Sequence, residues 1–130
     1  MVSYRTPLGR ARGLGSAKHG AGHWISERVS SIALVPLTVW AVYGVLRLAA
    51  GDYGFAVHWV QDPLNATLTV LTLAISSWHM HAGLRVVVED YIHKALTKSG
   101  LLIINLFVCG LSGALAIFSI LKVALSGGAF

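Results

Sequence analysis

Charge is scarce in this sequence. Lys and Arg together number 10 and Asp and Glu 5 among 130 residues, so only 12% of the chain is charged. A soluble domain carries about 25% charged residues, and so small a chain has a large surface to cover. That shortage excludes an ordinary soluble globule. Cysteine is nearly missing: the single Cys109 excludes a disulfide framework, a four-thiolate metal site and the C-x-x-C-H arrangement of covalent haem attachment. A dinucleotide fingerprint, a cysteine cluster for iron–sulfur centres and a nucleophile constellation are missing too, so the chain does no redox chemistry alone. What is present is apolar. Hydrophobic residues make up 55% of the chain, the mean hydropathy is +0.70, and such a composition excludes disorder. The class that remains is a small all-α integral membrane protein.

Stretches 29–46, 63–84 and 99–121 contain no Asp, Glu, Lys or Arg, and run for 18, 22 and 23 residues. A membrane helix needs roughly 17–25 apolar residues. Arg47 can snorkel outward and let the first helix continue to residue 50. The expected layout is three transmembrane helices at 29–50, 63–92 and 99–125, an irregular basic N-terminal arm over 1–28, an outer loop over 51–62 and an inner loop over 93–98. Residues 1–28 hold Arg5, Arg10, Arg12, Lys18 and Arg28 against Glu27 alone, and Lys94 and Lys98 follow the second stretch. Basic residues gather on the cytoplasmic side. The N-terminus and the 93–98 loop are therefore expected on the cytoplasmic side of the membrane and the C-terminus outside, with Lys122 a minor dissent. The first stretch is too long for a signal-peptide core and lacks a cleavage site. The glycine-rich arm suits anionic lipid headgroups or a soluble partner subunit equally well. No nucleic-acid role is expected, because the basic surplus lies beside a span rather than on a folded face.

Chemistry is concentrated on the second stretch, which reads Ser76-Ser77-Trp78-His79-Met80-His81-Ala82-Gly83-Leu84-Arg85 and ends Glu89-Asp90-Tyr91-Ile92-His93. Ionisable residues at such depth are costly and mark function by default. At about 100° per residue, His79 and Asp90 return to within about 20° of one another. Thr72, His79, Val86 and Asp90 thus share one stripe, with Gly83 about 40° to its side. A histidine with a glycine one turn on suits a flat, bulky ligand, since the missing side chain lets a ring approach the backbone. His81 points about 200° away from His79, so a single straight helix does not bring both to one iron. The plain alternative for a lone histidine in a span is an interhelical hydrogen bond. Arg85 and Glu89 stand at i,i+4 and pair on the helix surface. His19, His23, His58 and His93 lie near or beyond the expected interfaces and read as ordinary surface histidines.

The run His79-x-x-x-Gly83 followed by Asp90-Tyr91, on the second of three spans, resembles the small membrane-anchor subunit family of succinate dehydrogenase, respiratory complex II. The resemblance covers nearly the whole chain. Arg28 at the start of the first span belongs to it, and Arg5-Thr6-Pro7-Leu8-Gly9 and Gly13-Leu14-Gly15-Ser16-Ala17 look most like the alphaproteobacterial branch. It implies His79 as an axial ligand of haem b shared with a second anchor (cytochrome b) subunit, Arg28 near a haem propionate, and Asp90 and Tyr91 at the ubiquinone site. It also implies a non-catalytic anchor, partnered by an iron–sulfur subunit and a flavoprotein subunit. His81 departs from the pattern as a second candidate ligand, and the register of Gly83 and Asp90-Tyr91 selects His79.

Spacing agrees with this implication. Tyr91 lies about 18 Å along a helix from His79, and Pro63 about 24 Å in the other direction. His79 then falls within the bilayer and Tyr91 near the cytoplasmic interface. A phenol there can donate to a quinone carbonyl while Asp90 holds the tyrosine or a water; Tyr91 as an interfacial belt aromatic is the simpler alternative. Two other readings stay open: the fumarate reductase anchor, which shares the layout, and a small transporter or channel subunit with His79, Arg85 and Asp90 on a proton path.

Overall fold

The computed structural model describes residue 4, residues 6–13 and residues 20–126. Among the described residues five helices follow one another: α1 (Pro7–Ala11), α2 (Gly20–Ala50), α3 (Tyr53–Gln61), α4 (Pro63–Tyr91) and α5 (Ala95–Leu125). No strand forms among the described residues.

Local chemistry sets the short boundaries. Thr6 caps α1 by accepting from the Gly9 amide at 3.0 Å, with Pro7 in the first turn where its missing N–H costs nothing. Asp52 caps α3 through the Phe55 amide at 2.8 Å. Asp62 ends α3 and caps α4 through the Asn65 amide at 2.9 Å, with Pro63 opening α4. Two consecutive helices thus meet at one aspartate and make a tight corner.

The arm differs from its expected irregular form. Pro7–Ala11 is helical, and α2 starts at Gly20, well before residue 29. The physical reason is that a charge ends an apolar run without ending a helix: His23 and Glu27 sit at i,i+4 with Nδ1 4.0 Å from Oε1, and the Arg28 guanidinium lies 5.4 Å from the Trp24 ring centroid. Arg5, Lys18 and His19 fall outside the described residues. The expected 51–62 loop is also mostly helix. Its Trp59 stacks on Trp40 of α2, ring centroids 5.5 Å apart. A Cβ at Gly44 would stand 3.0 Å from Trp59 Cζ2, so glycine makes the space that α3 fills.

The centre of the bundle is α4, packed against α5 and, less extensively, against α2, while α3 lies against α4 and α5. The buried positions are mostly small or polar: Ser30, Leu37, Gly44, Ala82, Asn105, Cys109 and Gly113. Large apolar side chains such as Ile32, Val39, Phe107 and Phe118 face outward. Small residues between helices and bulky ones outside are the arrangement of a bundle in lipid, where close approach rather than burial of apolar bulk drives association. Gly113 marks a close approach of α5 to α4, since a Cβ there would lie 2.5 Å from Ser77 Oγ. The Ala21–Ala50 part of α2 and α5 are each long and apolar enough to cross a membrane. The polar residues of α4 leave it less apolar than these two, although its 29 residues match a span in length.

Candidate cofactor site

His79 lies on α4 where that helix meets α2. Its Nδ1 stands 2.9 Å from the hydroxyl oxygen of Ser30, a residue only 8% exposed. The ring borders a groove of about 400 Å³ whose other walls belong to α2: Ser31, Leu34, Val35, Thr38 and Val39. A neighbouring groove shares Leu34 and Thr38 and is closed by Thr72 and Ser76 of α4. Thr72 and His79, expected on one stripe, thus face one continuous seam. Gly83 is exposed, and a Cβ there would meet no atom within 4 Å. The α4 backbone is therefore bare on that side.

Arg28 makes no hydrogen bond or ion pair with α4 among the described residues, and its guanidinium rests over Trp24. Val35 and Val39 each lie within about 20° of Arg28 around α2, and Val35 about 10 Å further along it. Both valines line the groove of His79. Arg28 therefore stands on the same stripe, beyond the groove and toward the start of the helix.

His81 serves the opposite seam. It borders a groove of about 400 Å³ shared with α5, whose walls include Ser77, Trp78, Cys109 and Gly113. The Trp78 and His81 rings lie 6.3 Å apart. The backbone carbonyl of His81 accepts from Asn105 Nδ2 at 3.0 Å, and Cys109 Sγ donates to Asn105 Oδ1 at 3.2 Å. His81 Nδ1 is buried without a partner among the described residues.

Asp90 and Tyr91 end α4 side by side. Both are exposed, Tyr91 to 77%. The described residues bring nothing over them, so this chain supplies one wall of any site there. One turn earlier, Arg85 Nε donates to Glu89 Oε1 at 2.7 Å, the expected i,i+4 pair. Lys98 Nζ donates to the Glu89 carbonyl at 2.8 Å and ties the start of α5 to the end of α4. Two residues that sequence reasoning passed over matter here. Ser30 sits in a stretch read as apolar, and Ser26, one turn before it, accepts from Trp78 Nε1 at 3.3 Å. Their only signal in the sequence is hydroxyl spacing of four on one helix, which is too common to select them. No cluster of three or more His, Cys, Asp or Glu suited to a metal ion occurs among the described residues.

The fold and its seams define a helical membrane protein with a single histidine, rather than a complete ligand set, on its α2–α4 groove. Residues 2–121 match the family model described as the succinate dehydrogenase/fumarate reductase transmembrane subunit. The chain is 34% identical over 110 residues to the succinate dehydrogenase hydrophobic membrane anchor subunit of Rickettsia conorii, covering 84% of this chain and 87% of that one. It is 28% identical over 106 residues to the same-named subunit of Paracoccus denitrificans, covering 82% of each chain. Against the succinate dehydrogenase membrane anchor subunit of Reclinomonas americana the identity is 26% over 84 residues, 62% of this chain and 70% of the other. The chain belongs to the succinate dehydrogenase/fumarate reductase transmembrane subunit family.

Proposed function

We propose that this chain is the small membrane anchor of a succinate:quinone oxidoreductase, in which His79 is one axial ligand of a haem b and Tyr91 and Asp90 form part of a ubiquinone site. The observation that carries the reading is the placement of His79: one ring nitrogen is held by Ser30 at 2.9 Å while the ring borders a groove lined by aliphatic and hydroxyl side chains. The other ring nitrogen makes no hydrogen bond among the described residues.

The donor set fits a haem held from one side. His79 offers one nitrogen, Gly83 leaves the adjoining backbone bare, and Arg28 lies on the α2 stripe that runs through the groove, where its guanidinium is suited to a propionate. A single histidine would leave the rest of the iron's protein ligation to a second anchor (cytochrome b) subunit. When bound, haem supplies a one-electron acceptor inside the bilayer. Tyr91 donates a hydrogen bond from its hydroxyl to a quinone carbonyl, and Asp90 holds the tyrosine or a water in place. Neither residue makes or breaks a covalent bond, and succinate chemistry belongs to a flavoprotein subunit, with electrons delivered through an iron–sulfur subunit. In this reading α4 is a third span alongside α2 and α5. The basic flanks put the N-terminus on the cytoplasmic side of a bacterial inner membrane and the C-terminus in the periplasm, with membrane lipid over the outward aliphatic faces. Succinate oxidation is preferred over fumarate reduction because the relatives named above are succinate dehydrogenase subunits.

The test is purification of the assembled complex in mild detergent, with identification of the co-purifying chains and a reduced-minus-oxidised haem spectrum. A b-type haem together with a flavoprotein, an iron–sulfur protein and a second anchor is the expected result. A complex without haem whose function is transport would overturn the reading.

A further inference from the structure

We propose that Ser30 is a positioning residue for His79: its hydroxyl oxygen accepts the Nδ1 proton and so keeps Nε2 unprotonated and available to a metal. The inference rests on the haem reading of His79 given above.

A neutral imidazole carries one N–H, and the nitrogen that ligates a metal must be bare. The other nitrogen then carries the proton and needs an acceptor, which metal-bound histidines find in a carboxylate, a carbonyl or a water. In this chain that acceptor is a serine. Ser30 Oγ lies 2.9 Å from His79 Nδ1 and 3.0 Å from the Glu27 carbonyl oxygen one turn back on α2. A hydroxyl has one proton and two lone pairs. With Nδ1–H donating to Oγ, the serine proton goes to the Glu27 carbonyl, and the donors of both His79 Nδ1 and Ser30 have acceptors. With the serine proton donated into Nδ1 instead, the ring proton sits on Nε2 and blocks ligation. Only the first arrangement is compatible with a metal on this histidine.

Burial makes the serine effective. Ser30 is 8% exposed in the α2–α4 seam, so bulk water does not replace it as an acceptor. One turn earlier, Ser26 accepts from Trp78 Nε1 at 3.3 Å. Two hydroxyls four residues apart on α2 thus hold two adjacent aromatic side chains of α4. Ser31 shows the contrast. Its hydroxyl donates to the same Glu27 carbonyl at 2.7 Å and it lines the same groove, but it makes no hydrogen bond with His79.

A ligand histidine that donates from Nδ1 is more basic toward the metal, which favours the oxidised state of haem iron. Removing the acceptor shifts the equilibrium toward reduction. The experiment compares Ser30→Ala, Ser30→Thr and Ser119→Ala, whose hydroxyl donates to the Leu115 carbonyl at 2.8 Å on α5, in the assembled complex purified from membranes, reading haem content, low-spin EPR signature and redox titration of the haem band. Ser30→Ala is expected to favour reduction by about three- to tenfold, the range set by one net hydrogen bond, and to alter the EPR signature. Ser30→Thr, which keeps the hydroxyl, and Ser119→Ala are expected to match the parent. If Ser30→Ala fails to assemble, Ser30→Cys takes its place, since a thiol keeps the volume but is a weak acceptor. An unshifted titration in Ser30→Ala, an equal shift in Ser119→Ala, or a Ser30→Thr complex that behaves like Ser30→Ala would overturn the proposal. His79→Ala separates the two levels. A haem that ignores His79→Ala removes the ligand reading itself, whereas a haem that depends on His79 and ignores Ser30 removes only the positioning role.

Discussion

His79 and His81 stand two residues apart and serve opposite seams of the bundle: His79 meets Ser30 of α2, while His81 borders the groove shared with α5. Two steps of an α-helix turn a side chain by about 200°, so α4 cannot present both rings to one iron. The polar neighbours differ as well. His79 has a buried hydroxyl on its Nδ1, whereas the Nδ1 of His81 has no partner among the described residues. Only one of them is equipped to hold a fixed tautomer.

The first prediction follows from that difference. His79→Ala should empty the haem site or perturb its spectrum in the purified complex, while His81→Ala should leave the spectrum largely intact. Difference spectra and haem-to-protein ratios of the two variants measure this directly. The reverse pattern would move the ligand by two residues, to the α5 side.

Packing at Gly113 supplies a second. A Cβ there would stand 2.5 Å from Ser77 Oγ and 2.9 Å from Ser77 Cβ. Overpacking of this kind costs about 1–3 kcal/mol. Gly113→Ala should therefore lower the thermal stability of the complex in detergent, and adding Ser77→Gly should recover much of the loss. Gly83→Ala is the contrast, since no atom lies within 4 Å of a Cβ there. It should leave the fold of this chain intact and act only on what is bound beside α4. Equal melting points for the parent and Gly113→Ala would show that α4 and α5 do not approach so closely.

Much of the layout was legible because charge and helical period report directly on it. The three uncharged stretches fall within α2, α4 and α5, and the 100° step separated His79 from His81 before any contact was known. Other features escaped for identifiable reasons. An uncharged run marks apolar surroundings and not helix length, so α2 was expected to begin at residue 29 although it begins at Gly20. The 51–62 segment looked like a loop because its nine helical residues are too few to show a period, and its cap depends on Asp52. Ser30 was invisible in principle: a serine in an apolar stretch usually bonds back to its own helix, as Ser30 also does to Glu27. Only the position of the second helix reveals its contact with His79. Asp90 and Tyr91 are a different case. Motif resemblance singled them out, and in the fold they are exposed and adjacent at the end of α4, where a site would need walls from other chains.

Orientation gives the third prediction. Residues 1–28 carry five basic residues against Glu27, whereas Asp52 and Asp62 accompany Arg47 in the 47–62 segment. With basic flanks inside, a reporter fused after Phe130 should be active only if it functions outside the inner membrane. Cytoplasmic activity there would invert the chain and carry the Asp90–Tyr91 end of α4 to the far side of the membrane, away from any cytoplasmic electron donor.

The last prediction concerns the hydroxyl of Tyr91. Its side chain is 77% exposed at the end of α4, and no described residue of this chain covers it. A quinone held there gains a donor from the phenol, and Tyr91→Phe removes that donor while keeping the ring. A lost hydrogen bond costs about 0.5–1.5 kcal/mol and more when its partner is left buried and unpaired; about 1.4 kcal/mol is a factor of ten. Tyr91→Phe should therefore raise the apparent quinone KM or slow quinone reduction by about tenfold. Succinate oxidation with an artificial acceptor at the soluble subunits should be nearly unchanged, because that step lies upstream. An interfacial belt tyrosine predicts a different outcome, since phenylalanine retains the ring and most of its affinity for the headgroup region. Parent-like quinone turnover in Tyr91→Phe would remove the quinone from this end of α4 and leave the chain an anchor alone.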